Sequence, residues 1–202
     1  MRAGRGRAAY DRALKDYYAR RAAEYDATSW EAFDDAEREA VERFVASLPA
    51  GHVLDIGCGT GYLTRLLRGT VVAVDQSAEM LELARTRVPA ATLVRADMPP
   101  LPFVDGVFDL AFSSHVYSHI EAAAQRAEFM VEALRVARAV VILEQAWRDG
   151  RTRESYELRR LLDGREYRVF KRYLTPDELA RELEGTVVLA SGEFVAVRVP
   201  VQ

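Results

Sequence analysis

The 202-residue sequence predicts an α/β protein: a doubly wound, mostly parallel seven-stranded sheet with an antiparallel last strand. Three observations predict it. Short apolar runs, which read as strands covered on both faces, alternate with amphipathic stretches between Val53 and Leu143. The first run passes straight into a glycine-rich turn, Gly57-Cys-Gly-Thr-Gly61. After a change of pattern, two β-rich runs joined by Ser191-Gly192 close the chain as a hairpin. Parallel crossovers are right-handed, which places helices on both faces of the sheet.

The elements follow in order. Residues 1–8 read as a frayed tail. Ala9 to Ala27 lacks Gly and Pro and reads as a helix; Tyr18 and Tyr25, seven apart, share a face. A second helix is expected from Ser29, as N-cap, to Leu48, with acidic residues near its positive end. Val53–Ile56 is the first strand, and Tyr62–Arg68 a helix. Val71–Val74 is the second strand, ending on Asp75, and residues 77–87 the next helix. Ala91–Ala96 is the third strand, ending on Asp97. Three prolines make Met98–Pro102 a loop. Strand Val107–Phe112, helix Glu121–Val136 and strand Ala139–Leu143 complete the alternation. Asp163-Gly164 is the turn signal of a hairpin or lid. Thr175-Pro-Asp-Glu178 opens a helix with a capping box, Gly185 stops it, and Thr186–Ala190 and Glu193–Val199 are the closing strands. The expected organisation is a single domain: a helical cap over 1–50, a core over 51–147, a lid or hairpin over 148–174 and a closing helix and hairpin over 175–202.

Composition narrows the partners. Lys and Arg total 28 against 31 Asp and Glu, so the domain lacks the overall basic footprint of a nucleic-acid binder. The single cysteine, Cys58, excludes an internal disulfide and a cysteine-based zinc site, and points to a reducing, cytoplasmic setting. No run of 18 apolar residues suggests a membrane span, and no apolar run follows the basic N-terminus. No metal site is expected, and composition says nothing of oligomeric state.

The chemistry concentrates at strand ends. Asp55 lies just before the glycines, where a carboxylate would repel a pyrophosphate but suits a cationic amino group. Asp75 lies 18 residues after Gly57, close to the ~20 expected for an acid that binds ribose hydroxyls. Asp97 is a third acid delivered to the same carboxyl edge. The alternative is that each only caps the following helix. A hydride-transferring dinucleotide enzyme would want the glycine turn without Asp55 and no antiparallel end strand.

These motifs resemble those of the Rossmann-like (class I) S-adenosylmethionine-dependent methyltransferases, in their small-molecule branch. Val53–Gly61 resembles the glycine-rich first motif and Val71–Ser77 the second-strand acidic motif. Arg95-Ala-Asp-Met98 resembles the adenine-contacting motif, and Phe108–Ser114 the fourth-strand motif. The resemblance covers residues 51–147 and implies S-adenosylmethionine as cofactor and S-adenosylhomocysteine as product. It implies that Asp55 holds the methionine amino group, directly or through water, with Gly57, Cys58, Gly59 and Gly61 around the methionine tail. Asp75 would take the ribose hydroxyls, with Gln76 and Met80 near the adenosine. Asp97 would accept from the adenine amino group, Met98 would pack on the ring, and Ser113 would lie under the sulfonium. Tyr18, Tyr25 and Asp26 resemble the helix that closes over the cofactor; ordinary packing is the alternative. Cys58 would contribute backbone and packing, not reactivity.

The acceptor side is less specific. Methyl transfer mainly needs two reactants positioned and water excluded. A base is needed only where the acceptor must lose a proton. His119, or His115, is the candidate base, and Glu144 on the next strand could orient the imidazole or bind substrate. The alternative is that His119 packs beside the helix that follows. The Arg-rich, aromatic segment 148–173 reads as a lid for an acidic or aromatic small-molecule acceptor, or as a solvated hairpin. No Asn/Asp-Pro-Pro-Tyr/Phe motif of base-amino methyltransferases occupies the Ser113–Val116 position. A cofactor-binding protein without transfer, or an RNA or protein methyltransferase, are the competing readings.

Overall fold

The computed structural model describes residues 3–200. Helix α1 spans Ala3–Arg21, a one-turn α2 spans Tyr25–Thr28, and α3 spans Asp35–Ser47. Then come β1 (Gly51–Ile56), β2 (Gly69–Asp75), α4 (Ala78–Arg87), β3 (Thr92–Arg95), β4 (Leu110–Ser114), α5 (Ala123–Val136) and β5 (Ala139–Gln145). Strands β6 (Glu154–Arg160) and β7 (Glu166–Arg172) follow, then α6 (Pro176–Glu182), β8 (Thr186–Ala190) and β9 (Phe194–Pro200).

Seven strands form one sheet in the order β3-β2-β1-β4-β5-β9-β8. The first five run parallel, and β9 runs antiparallel to both β5 and β8. The expected α/β, doubly wound sheet with an antiparallel last strand is therefore present. Both faces are buried because side chains alternate along each strand. Leu54 and Ile56 pack with Phe129, Ala133 and Leu179 on one face. Val53 packs with Trp30, Val41 and Val45 on the other.

Several boundaries depart from the sequence expectation, each for a local reason. Residues 3–8, expected as frayed tail, continue the helix, while 1–2 lie outside the described residues. The helix expected to reach Ala27 stops at Arg21. There the guanidinium folds back onto the Thr28 hydroxyl at 3.0 Å and the Ser29 hydroxyl at 2.8 Å. Ser29 is thereby not an N-cap; Asp34 caps α3, its carboxylate accepting from Ala36 N at 2.9 Å. Tyr62–Arg68 shrinks to one 3-10 turn, Thr64–Leu66, because Thr64 turns inward to bond Asp55 at 2.6 Å. The β4 ladder starts at Leu110 rather than Val107 and runs two residues past Phe112, carrying Ser113 and Ser114 to the edge.

The hairpin forms a separate two-stranded sheet, β6–β7, with its turn at Leu161–Arg165. It has its own small core, in which Tyr17 of α1 meets Leu161 and Val169. Its base is clamped by Arg172, which donates to both oxygens of Glu182 at 2.9 Å and to Glu154 at 2.6 Å. Tyr117 and Arg126 donate to the same Glu182, at 2.7 and 3.0 Å. These donors hold the Glu182 carboxyl down to about 2, with the Arg172 hydrogen bonds the largest cause.

Candidate functional site

The carboxyl ends of β1, β2 and β4 open into a cavity of about 740 Å³. That is the size range of a site for a drug-sized ligand, and it lies where open α/β sheets bind ligands. The glycine turn forms its floor. Gly57 has φ +76, and a Cβ there would lie 2.3 Å from Val116 Cγ2. Gly57 N and Cys58 N both donate to Val74 O, at 2.8 and 3.1 Å, fixing the turn against β2.

Asp75 organises the cavity wall. Its carboxylate accepts from Gly59 N and Ser77 N, each at 2.9 Å. A carboxylate offers about four lone-pair sites, so the capping bond to Ser77 leaves capacity for ligand hydroxyls. The two readings of Asp75, cap and ligand holder, are compatible. Burial pushes its pKa above the usual carboxylate range despite these bonds.

Ten of the residues picked from sequence line the large cavity: Tyr18, Tyr25, Gly57, Gly59, Asp75 and Gln76, then Met80, Asp97, Met98 and His119. Asp97 is mostly exposed at the mouth and is held by Lys15 of α1 at 2.6 Å.

Five others do not line it. Asp55 is buried beneath the turn and bonded to Thr64, and burial with Asp75 nearby raises its pKa to about 7. Direct contact with a ligand amino group is therefore not its position. Cys58 is 9% exposed, and burial pushes its thiol up, the opposite of a reactive thiolate. Gly61 faces Val88 and Ala84. Ser113 points the wrong way by strand alternation: its hydroxyl donates to Ile56 O at 2.9 Å, and Ser114 faces the cavity instead. Glu144 is buried, accepts from Ser118 N at 3.0 Å and stands 3.7 Å from Lys171 Nζ.

A second, smaller chamber of about 190 Å³ adjoins the first. Tyr18, Tyr25, His115 and His119 line both, so they form the partition. His119 is half-buried. Its Nδ1 donates to Phe170 O at 2.7 Å, leaving the lone pair on Nε2. The backbone of β7, not Glu144, fixes the tautomer. Burial, then the Lys171 charge, holds the His119 pKa well below its ordinary value, so the ring is neutral at pH 7. His115 sits at φ 57 and stacks beside Trp30 and Phe194. Sequence reasoning missed Arg21, Ser114 and Lys15 as site residues. Strand parity marks Ser114 once β4 is extended; nothing local marks the other two.

Fold and cavity together define a Rossmann-like α/β protein with a cofactor-sized site at the sheet edge. Residues 54–142 match the methyltransferase domain family. The chain is 37% identical over 91 residues to malonyl-[acyl-carrier protein] O-methyltransferase of Pectobacterium atrosepticum, covering 42% of this chain and 36% of that one. It is 40% identical over 74 residues to trans-aconitate 2-methyltransferase of Paracidovorax citrulli, covering 33% and 28%. The matches thus span only about a third of these relatives' own lengths. Among solved structures, the DhpI-SAM-HEP complex superposes with a TM-score of 0.77 and 28% identity, covering 95% of this chain and 98% of that one. The matched segment, residues 54–142, reads as a class I S-adenosylmethionine-dependent methyltransferase domain.

Proposed function

We propose that the protein binds S-adenosylmethionine in the large cavity and transfers its methyl group to a small acceptor in the adjoining chamber. The observation that carries this reading is the pair of chambers sharing one wall, Tyr18, Tyr25, His115 and His119. The residues fit the cofactor. Asp75 has acceptor capacity for the ribose hydroxyls, and Gln76, Met80, Asp97 and Met98 surround the adenosine end. Gly57 and Gly59 leave their stretch of wall free of side chains for the methionine tail. When bound, the cofactor supplies an activated methyl group on a sulfonium.

The chain's own contribution is positioning and dryness. Tyr18 and Tyr25 hold the partition, with ring centroids 6.3 Å apart. His119 presents a neutral Nε2 lone pair, which can accept a hydrogen bond from an O–H or N–H elsewhere on the acceptor than the attacking oxygen. Its depressed pKa makes it a weak base, so its role is to orient the acceptor. The relatives named for malonyl and trans-aconitate substrates support an acceptor that is a small molecule or a carrier-bound acyl group. A cytoplasmic setting is proposed with it; among the described residues no helix is long and apolar enough to cross a membrane. No cluster of His, Cys, Asp or Glu among them could hold a metal ion.

Calorimetry with S-adenosylmethionine and S-adenosylhomocysteine tests the reading. The wild type binds both, and transfer of a labelled methyl group to an acceptor follows. Tight binding of a nicotinamide dinucleotide in place of either would overturn it.

A further inference from the structure

We propose that the smaller chamber is an oxyanion site, which takes the carboxylate or phosphoryl group of the acceptor and sets one of its oxygens at the His115–His119 partition. This rests on the methyltransferase reading and names the substrate class of that same site.

Three cationic side chains from separate parts of the chain line the chamber: Arg21 of α1, Arg159 of β6 and Lys171 of β7. No Asp or Glu lines it among the described residues, although Glu157 pairs with Arg159 from beside it. Cations gathered in a low-dielectric cavity repel one another, and a bound anion relieves this. Lys171 is the most telling. It is 2% exposed, and its ammonium, with three donors, makes a hydrogen bond of 2.7 Å to the Ser118 hydroxyl. Glu144 stands 3.7 Å away, too far for a hydrogen bond, and its Oε2 has no hydrogen-bond partner among the described residues. Burial pulls the Lys171 pKa down and Glu144 pushes it back up. Its charge is matched by the Glu144 carboxylate, but Ser118 takes only one of its three N–H donors among the described hydrogen bonds, which leaves donors for a ligand.

Arg21 lies over the Tyr25 ring at 4.7 Å, which aims a planar donor fork at the chamber while Thr28 and Ser29 hold one nitrogen. His115 adds a donor. Its Nδ1 pairs with the Ser114 hydroxyl at 3.3 Å; with that hydroxyl donating, Nε2 carries the proton. That Nε2 is sealed from solvent with no partner among the described residues. At ~30 Å³ per water the chamber holds about six waters, room for a small acid.

The chemistry is consistent with this class. A lone pair on the oxyanion forms the new C–O bond as the C–S bond of the sulfonium donor breaks. Sulfur keeps the bonding pair, and the acceptor loses one negative charge to become a methyl ester. No proton has to be removed, so neutral histidines suffice.

The test uses the full chain saturated with S-adenosylhomocysteine. Acetate and malonate probe for a carboxylate, inorganic phosphate and methyl phosphate for a phosphoryl group, and acetamide and phenol serve as neutral probes, all by calorimetry. One anion class should bind, and the neutral probes should not. Arg159→Gln and Lys171→Met should each weaken that binding about 10- to 100-fold, with S-adenosylhomocysteine affinity within about twofold of wild type. Arg159 is over a third exposed, so its variant serves even if the buried Lys171→Met fails to fold. Binding of phenol in preference to every anion, or no anion binding to the loaded protein, would overturn the oxyanion site alone. Failure of the wild type to bind S-adenosylhomocysteine would overturn both proposals.

Discussion

The two chambers are built on opposite electrical and topological plans. The large one takes its polar groups from the ends of adjacent strands: the glycine turn after β1, Asp75 ending β2, and Asp97 two residues after β3. Its fixed charges include two carboxylates from consecutive crossovers. The small one takes three cations from residues 21, 159 and 171, and no acid lines it among the described residues. The first is floored by the central sheet and roofed by α1 with Tyr156 of β6, whereas the second draws all its cations from the hairpin and α1. In the proposed reading, cofactor handling belongs to the strand-end crevice, whereas acceptor handling depends on how the hairpin and α1 dock.

That contrast can be broken at its anchor. Glu182 is held at about 2 against an ordinary 4.5, a gap that would be worth about 3 kcal/mol if fully shielded and less here, where solvent screens the exposed carboxylate. Its folded pKa is depressed, so the contribution is complete above about pH 4.5 and is lost as pH falls through about 2. Denaturant titration of Glu182→Gln should show a deficit below that figure at pH 7, shrinking toward zero near pH 2. Because the clamp holds the hairpin, the same variant should lose acceptor affinity before cofactor affinity.

Asp75→Ala should do the converse. Losing charge-assisted bonds worth about 2–3 kcal/mol weakens S-adenosylmethionine binding about 30- to 150-fold, read by calorimetry, with anion binding unchanged. An unchanged cofactor affinity with the fold intact would remove Asp75 from the site. His119→Ala sharpens the boundary between the chambers. As an orienting hydrogen-bond partner it should lower turnover about tenfold without changing cofactor affinity. A loss of 10²–10⁴ with a pH-dependent rate would show it to be a general base instead. Smallest is Lys15→Ala. The ion pair with Asp97 is exposed on both sides, so cofactor affinity should change about fivefold at most, and less in high salt.

The same division decides what could be read from the sequence. Motifs contiguous along one strand and its turn, such as Val53–Gly61 and Val71–Asp75, carry their own geometry, and the large cavity was legible from them. Where a single-residue parity mattered, legibility failed: β4 runs on to Ser114, so Ser114 rather than Ser113 faces the ligand space. Asp55 lies beneath the cavity wall rather than on it, because its partner, Thr64, turns inward from a stretch that reads as helix, which leaves the expected contact through water untouched. Of the two roles expected of Glu144, orienting His119 or binding substrate, the carbonyl of Phe170 takes the first. No local pattern announces a backbone acceptor 51 residues away. Arg21 reads as one more surface charge on a polar helix until α1 is docked on β7.

The Arg172–Glu182 clamp has a consequence for descent and for engineering. It fastens the hairpin at its base, outside both chambers, while Arg159 and Lys171 project from the strands above it. A hairpin of different charge can be seated in the same fastening where it keeps Tyr156, which lines the large cavity, and the Phe170 carbonyl that holds His119. The donor half can therefore be inherited unchanged while the recognised acid is exchanged, which makes segment 154–172 the natural unit for grafting one acceptor preference onto another member of the family.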